Sequence, residues 1–225
     1  MDEFPQFHFS QSQASVYIAM QELAPDLWER IRLRIAEGRW EVTASQWVEG
    51  DKNMASGEIL ARHLLYTRRW FKEALGLPFD VVKIDWEPDT FGHCWTLPGI
   101  LRRGGVSRYY HHRSDGPRLA SMSSGQTSQV FWWEGKDGSR VLAFDDSPNG
   151  YTNEITPHMA HLLFDLERHT GLKTMLWVYG VGDHGGGPTR RHLRAAEDMA
   201  TWPIWPRVTL GTTDDFFSSI EKQIE

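Results

Sequence analysis

A carboxylate at the mouth of an apolar run is the residue in this chain best placed to do chemistry. The run Phe79-Asp80-Val81-Val82-Lys83-Ile84 reads as a buried strand, and Trp86-Glu87-Pro88-Asp89-Thr90-Phe91-Gly92-His93 follows it. Asp89 is followed closely by an aromatic ring, Phe91, and an imidazole, His93. A charged oxygen, a flat apolar wall and a polar neighbour are what metal-assisted sugar chemistry needs. Such a carboxylate can attack an anomeric carbon and form a covalent glycosyl-enzyme that water later releases. A divalent cation touching it would keep it ionised. On spacing alone, Pro88-Asp89 also reads as a turn whose aspartate accepts a local hydrogen bond.

Asp183 is the second candidate. It follows Thr174 to Tyr179, read as a buried strand, and lies in Gly182-Asp183-His184-Gly185-Gly186-Gly187-Pro188-Thr189. A retaining glycosidase needs two carboxyl groups about 5–5.5 Å apart, one to attack and one to give and take a proton. Carboxylates at the ends of two strands of one sheet can meet that spacing. A turn residue in a glycine-rich loop is the competing account of Asp183. Gly180, Gly182 and Gly185 also spell the dinucleotide fingerprint, which leaves a nucleotide-binding oxidoreductase as a weak alternative. His184-Gly185-Gly186-Gly187 matches the oxyanion loop of lipases, but the chain has no Gly-x-Ser-x-Gly elbow to go with it.

Around these two stand further polar groups. Glu49 and Asp51, behind Trp47, could bind sugar hydroxyls, although Asp51 could equally fix a turn and Ser56 cap the helix that follows. His111 and His112, followed by Arg113, come at the end of a strand and could reach a substrate.

The elements that must position these groups alternate along the chain. Strands are expected at Phe7 to Ser10, Trp40 to Ala44, Val81 to Asp85, Val106 to His112, Thr174 to Tyr179 and Arg207 to Leu210. Helices are expected at Pro25 to Ala36, Ser56 to Leu75, Pro98 to Arg103, Thr156 to Thr170, Arg190 to Met199 and Asp214 to Ile224. In the second of these, Leu60, Leu64, Thr67, Phe71 and Leu75 share one face, and Gly76 ends it. Val130 to Glu134 and Val141 to Phe144 flank Lys136-Asp137-Gly138 as a hairpin, and Asp115 to Gly125 reads as a loop. Strand-helix repetition indicates an α/β fold with a parallel β-sheet and sites at the carboxyl ends of its strands. With no repeat or linker, residues 1–225 read as a single domain.

Composition bounds the rest. A chain of 225 residues with 40% hydrophobic and 24% charged content is an ordinary globular protein with enough length for a core. A net charge of −6 argues against nucleic acid as a partner. No apolar run approaches the roughly 20 residues of a membrane span. The lone Cys94 excludes an internal disulfide framework, and no signal-peptide pattern opens the chain. Both fit a cytoplasmic setting. The eleven tryptophans suit an enzyme whose rings stack on sugars, though any single ring is better read as core.

Taken together, Trp86 to His93, the set Trp47-Val48-Glu49 with Asp51, Asn53, Ser56, Gly57 and Glu58, and Gly182 to Thr189 resemble the class II α-mannosidases, glycoside hydrolase family 38. The resemblance runs from about Phe9 to Phe217 and implies several things. The fold would be the seven-stranded (β/α) barrel of that family, incomplete at both ends, so that the chain is an internal fragment of the catalytic α/β domain. Asp89 would be both nucleophile and ligand to Zn2+, Asp183 the acid/base, and Phe91, His184, Asp51 and Trp47 the substrate contacts. The family's remaining zinc ligands, a His-x-Asp pair and a late histidine, would lie outside this chain. The substrate would be a mannose-containing oligosaccharide or glycoside, cut at terminal α-mannosides, in a possible homo-oligomer. The alternative within the same resemblance is a catalytically silent carbohydrate-binding or structural remnant.

Overall fold

The computed structural model of the protein describes residues 1–113, 129–147, 149–183 and 185–224. These residues pack as two compact units. Residues 9–113 and 129–145 make one; residues 1–8, 146–147, 149–183 and 185–224 make the other.

The first unit is mixed α/β with parallel strands. Strand β1 (Phe9–Gln11) pairs in parallel with β2 (Trp40–Val42), and between them run helices α1 (Ala14–Leu23) and α2 (Pro25–Ala36). Helix α2 starts as its sequence demands, with proline in the first turn, where a missing N–H costs nothing. Helix α1 was not anticipated. Its N-cap, Gln13, makes no side-chain cap bond and has φ 67, so it carries no start signal. Trp28, Ile31, Tyr17, Phe71, Val42 and Val82 form the core on this side.

Helix α3 (Gly57–Leu75) leads into a four-stranded sheet of order β3-β4-β6-β5. Ser56 caps it, its hydroxyl accepting the Ile59 N–H at 3.3 Å. The face expected to turn inward does so at Leu60, Leu64, Thr67 and Phe71. Strands β3 (Ile84–Glu87), β4 (Arg108–His111) and β6 (Arg140–Asp145) run parallel; β5 (Val130–Glu134) pairs antiparallel with β6 as the expected hairpin. Short helix α4 (Leu97–Arg103) joins β3 to β4. Leu60, Leu64, Leu97, Leu101, Val106, Tyr109, Val141 and Ala143 fill the space between helices and sheet.

The second unit holds α5 (His158–Thr170), α6 (Arg190–Met199) and α7 (Thr213–Ile224). Thr189 and His192 cap α6 reciprocally: the Thr189 hydroxyl accepts the His192 N–H at 3.3 Å, and the Thr189 N–H donates to His192 Nδ1 at 3.2 Å. The strands expected at Thr174 to Tyr179 and Arg207 to Leu210 are not formed; both stretches lack ladders, apart from a single Asn153–Tyr179 bridge. Their side chains are mostly half-buried and, with α5 and α7, line a cleft of about 980 Å³. The loop expected at Asp115 to Gly125 lies outside the described residues. Among the described residues no helix is long and apolar enough to cross a membrane.

Candidate active site

The register of β3 on β4 builds the site around Asp89. Glu87 is paired with His111 across the two parallel strands, so the strands end level. Two residues past that pair stand Asp89 on one chain segment and Arg113 on the other. They meet there: Arg113 Nε donates to Asp89 Oδ1 at 2.7 Å, and Nη2 engages the same oxygen. Both side chains stay partly in water, Asp89 at 46% exposure and Arg113 at 34%. The Arg113 guanidinium also lies over the Phe91 ring, 4.8 Å from its centre. Phe91 is otherwise exposed.

Beneath Asp89 lies a buried charge cluster. The period-2 alternation of Asp85 and Glu87 puts both carboxyl groups on one face of β3. Lys52 comes down on that face, its Nζ 2.7 Å from Glu87 Oε1 and 3.6 Å from Asp85 Oδ2, all three side chains essentially out of water. The Ser45 hydroxyl donates to Asp85, and Thr90 Oγ1 donates to Glu87 Oε2 at 2.5 Å. Burial works against the Lys52 charge, but Asp85 and Glu87 outweigh it and raise its pKa. Burial, then the Asp85 charge, pushes Glu87 up to about 8. A proton kept on Glu87 spares the interior one of two negative charges.

Histidine 93 belongs to this buried layer rather than to the Asp89 carboxylate. It shares a 2.7 Å hydrogen bond with the Tyr109 hydroxyl, and its ring lies 4.9 Å from that of His111. Burial, then His111, pushes its pKa down to about 4, so this half-buried imidazole is neutral. His111 is buried, and burial lowers its pKa too.

The segment Trp47 to Asn53 flanks the Asp89 loop. Glu49 Oε1 accepts the Asp89 N–H at 3.0 Å. Asp51 folds its own loop: Oδ1 accepts the N–H groups of Asn53 at 2.7 Å and Met54 at 2.6 Å, and these bonds hold its pKa below the ordinary value. Trp47 packs half-buried against the Tyr17–Trp28–Phe71 core.

Asp183 belongs to the other unit. Its loop is closed by Val181 and Gly187, which exchange N–H···O bonds of 2.8 and 3.1 Å. Asp183 sits within it, exposed, at φ 58, a left-handed conformation that aspartate tolerates better than most residues. Gly180 has φ 139, and a Cβ there would lie 2.9 Å from the Gly187 backbone. The glycine spacing therefore serves closure of the loop upon itself. Among the described residues no strand leads directly into it, as the dinucleotide fingerprint requires. His184 lies outside the described residues.

Three groups escaped the sequence reading in these roles: Lys52, Glu49 as a backbone acceptor, and Arg113 as the partner of Asp89. Alternating acids in a buried strand are the signal that could have called for Lys52. Among the described residues no three His, Cys, Asp or Glu side chains come together as a metal site, and the Asp89 oxygen is engaged by Arg113. Zinc takes about four ligands, so the described residues do not by themselves fit it.

Comparison with known proteins supplies the context. The model of the glycosyl hydrolases family 38 N-terminal domain matches residues 1–225. Alpha-mannosidase G of Dictyostelium discoideum is 31% identical over 98% of this chain, and alpha-mannosidase of Saccharomyces cerevisiae is 29% identical over 99%. The chain spans only about a fifth of their length, 20% and 21%. A crystal structure of an alpha-mannosidase from Enterococcus faecalis V583 superposes with a TM-score of 0.76 at 18% identity, over 97% of this chain and 25% of that one. A 4-alpha-glucanotransferase from Thermococcus litoralis follows at 0.67 and 15%, over 96% and 34%, which shows that the fold alone does not choose the sugar. The match along the whole length settles the family: this chain belongs to the glycosyl hydrolases of family 38, in their N-terminal domain.

Proposed function

We propose that this chain carries the two catalytic carboxyl groups of a retaining α-mannosidase, which hydrolyses terminal α-mannosides through a covalent glycosyl-enzyme. The observation behind this reading is the Asp89 carboxylate. It stands partly in water just past the end of a parallel strand, its oxygen engaged by Arg113, in a family 38 chain whose relatives are named alpha-mannosidases. Asp89 is the nucleophile: its free rotation is restricted by Arg113, and Phe91 offers a ring beside it for a sugar face. Asp183 is the acid/base, giving a proton to the departing oxygen and taking one from the water that follows. Trp47, Asp51 and His184 enter as substrate contacts by their place in the motifs. The fold proposed for the catalytic domain is of the seven-stranded (β/α) barrel type, in a cytoplasmic enzyme. The zinc implied by the family would find one carboxylate among the described residues, Asp89; those residues do not by themselves complete a site for it.

The test compares the chain with Asp89→Asn on an aryl α-mannoside and its α-glucoside counterpart. The reading expects hydrolysis of the mannoside alone, reduced at least about a thousandfold by Asp89→Asn with folding unchanged. A folded Asp89→Asn variant that hydrolyses the mannoside as before defeats it.

A further inference from the structure

The segment that carries Glu49 is stitched to the Asp89 loop at four points. Glu49 Oε1 accepts the Asp89 N–H. Lys52 and His93 form a parallel backbone bridge. Lys52 Nζ reaches Glu87 at 2.7 Å. The Asn53 side chain fills the space beside Gly92, where a Cβ would lie 2.1 Å from Asn53 Nδ2. Asp51 meanwhile folds the segment on itself through two backbone amides, which fixes how far Glu49 can reach. The result is a rigid bracket under a loop whose central side chain is itself partly in water. A reacting group in that position needs its backbone held by its surroundings, because its own packing does not hold it.

We propose that Glu49 is a positioning residue for Asp89: by accepting the Asp89 N–H, it holds the nucleophile's loop in its attacking geometry. The inference rests on the reading of Asp89 as the nucleophile. The role belongs to an acceptor oxygen and not to a charge, so glutamine can fill it. Burial raises the Glu49 pKa, the Asp89 N–H lowers it, and the Asp89 charge raises it again. A carboxyl group in that balance titrates nearer to neutrality than an exposed one, yet its carbonyl oxygen still accepts when protonated.

The test follows amide exchange at Asp89 by NMR in the wild type, Glu49→Gln and Glu49→Ala, with kcat and KM for an aryl α-mannoside and Asp89→Asn as control. The Asp89 amide should be protected in the wild type and Glu49→Gln, and exchange at least about tenfold faster in Glu49→Ala. In Glu49→Ala kcat should fall roughly a hundredfold, as a displacement of about 1 Å does, with KM unchanged. Glu49→Gln should restore most of the loss. Unchanged protection in Glu49→Ala overturns the inference. So does a kcat in Glu49→Gln as low as in Glu49→Ala, which makes the Glu49 proton itself the active group. If Glu49→Ala does not fold, an unprotected Asp89 amide in the wild type overturns it. The control separates the two readings: full hydrolysis by Asp89→Asn, or none by the wild type, removes the proposed function, while the exchange result still decides whether Glu49 clamps Asp89.

Discussion

Asp89 and Arg113 meet because the strands before them end in register. Glu87 faces His111 across β3 and β4, and two residues further on each side the carboxylate accepts a 2.7 Å hydrogen bond from the guanidinium. A one-residue slip of either strand would turn every side chain to the opposite face and lose the contact. The site is thus a consequence of sheet register.

Arg113→Ala should therefore disturb function more than stability. The pair is partly solvated, so its loss should change unfolding free energy by no more than about 1 kcal/mol. Under the proposed function, kcat for an aryl α-mannoside should fall roughly a hundredfold through misplacement of Asp89. Denaturant unfolding beside steady-state kinetics checks both; unchanged hydrolysis by the variant removes Arg113 from the mechanism.

Lys52→Ala should do the reverse and strike stability first. The substitution leaves Asp85 and Glu87 facing each other in the interior without their cation. Removing one partner of a buried pair costs about 3–5 kcal/mol. Urea unfolding of the variant reads this directly, and a loss below about 1 kcal/mol would show that water already reaches the cluster.

Glu87 should make the protein less stable as pH rises. Its pKa goes from an ordinary 4.5 to about 8 in the fold, so between those values the folded state holds a proton that the unfolded state has released. Stability present below 4.5 is then lost as pH rises through about 8. His93 acts in the other direction: its pKa drops from 6.5 to about 4, so its contribution is present above 6.5 and is lost as pH falls through about 4. The two separate between pH 6.5 and 8, where His93 is neutral in both states. Urea midpoints across that window should fall with pH in the wild type and fall less in Glu87→Gln. Equal slopes in the two proteins contradict a protonated Glu87.

Gly92→Ala should loosen the Asp89 loop from the Trp47–Asn53 segment. Gly92 has φ +98, and the new methyl would collide with Asn53 Nδ2. Strain of this kind costs about 1–3 kcal/mol. Adding Asn53→Ala should relieve the collision but not the backbone cost, so the double variant should remain less stable than Asn53→Ala alone. Thermal unfolding of the three variants measures the difference.

Much of this arrangement is legible in the residues. The α3 face, its Ser56 cap and the β5–β6 hairpin follow from periodicity, capping and turn chemistry, which are local. Strand β3, in contrast, forms at Ile84–Glu87, later than the Phe79–Ile84 run read as a strand, and only Ile84 and Asp85 fall in both it and the expected Val81 to Asp85. What escaped is decided elsewhere in the chain. Thr174 to Tyr179 carries the apolar content of a strand, but a strand exists only with a neighbour, and none pairs along it among the described residues. Helix α1 has no capping side chain to announce it. Lys52 looks like a surface residue until β3 places two acids over it. Asp51 was open to two readings, and its two amide bonds match the turn.

Identification of the residue that becomes covalently attached to sugar tests the central claim most directly. The protein is treated with an activated fluorinated α-mannosyl donor, whose glycosyl-enzyme forms faster than it hydrolyses, and is then digested for mass spectrometry. The account predicts one mannosyl adduct, on Asp89, absent from Asp89→Asn. Attachment at another carboxylate, or hydrolysis of ordinary mannosides with no adduct at all, contradicts it.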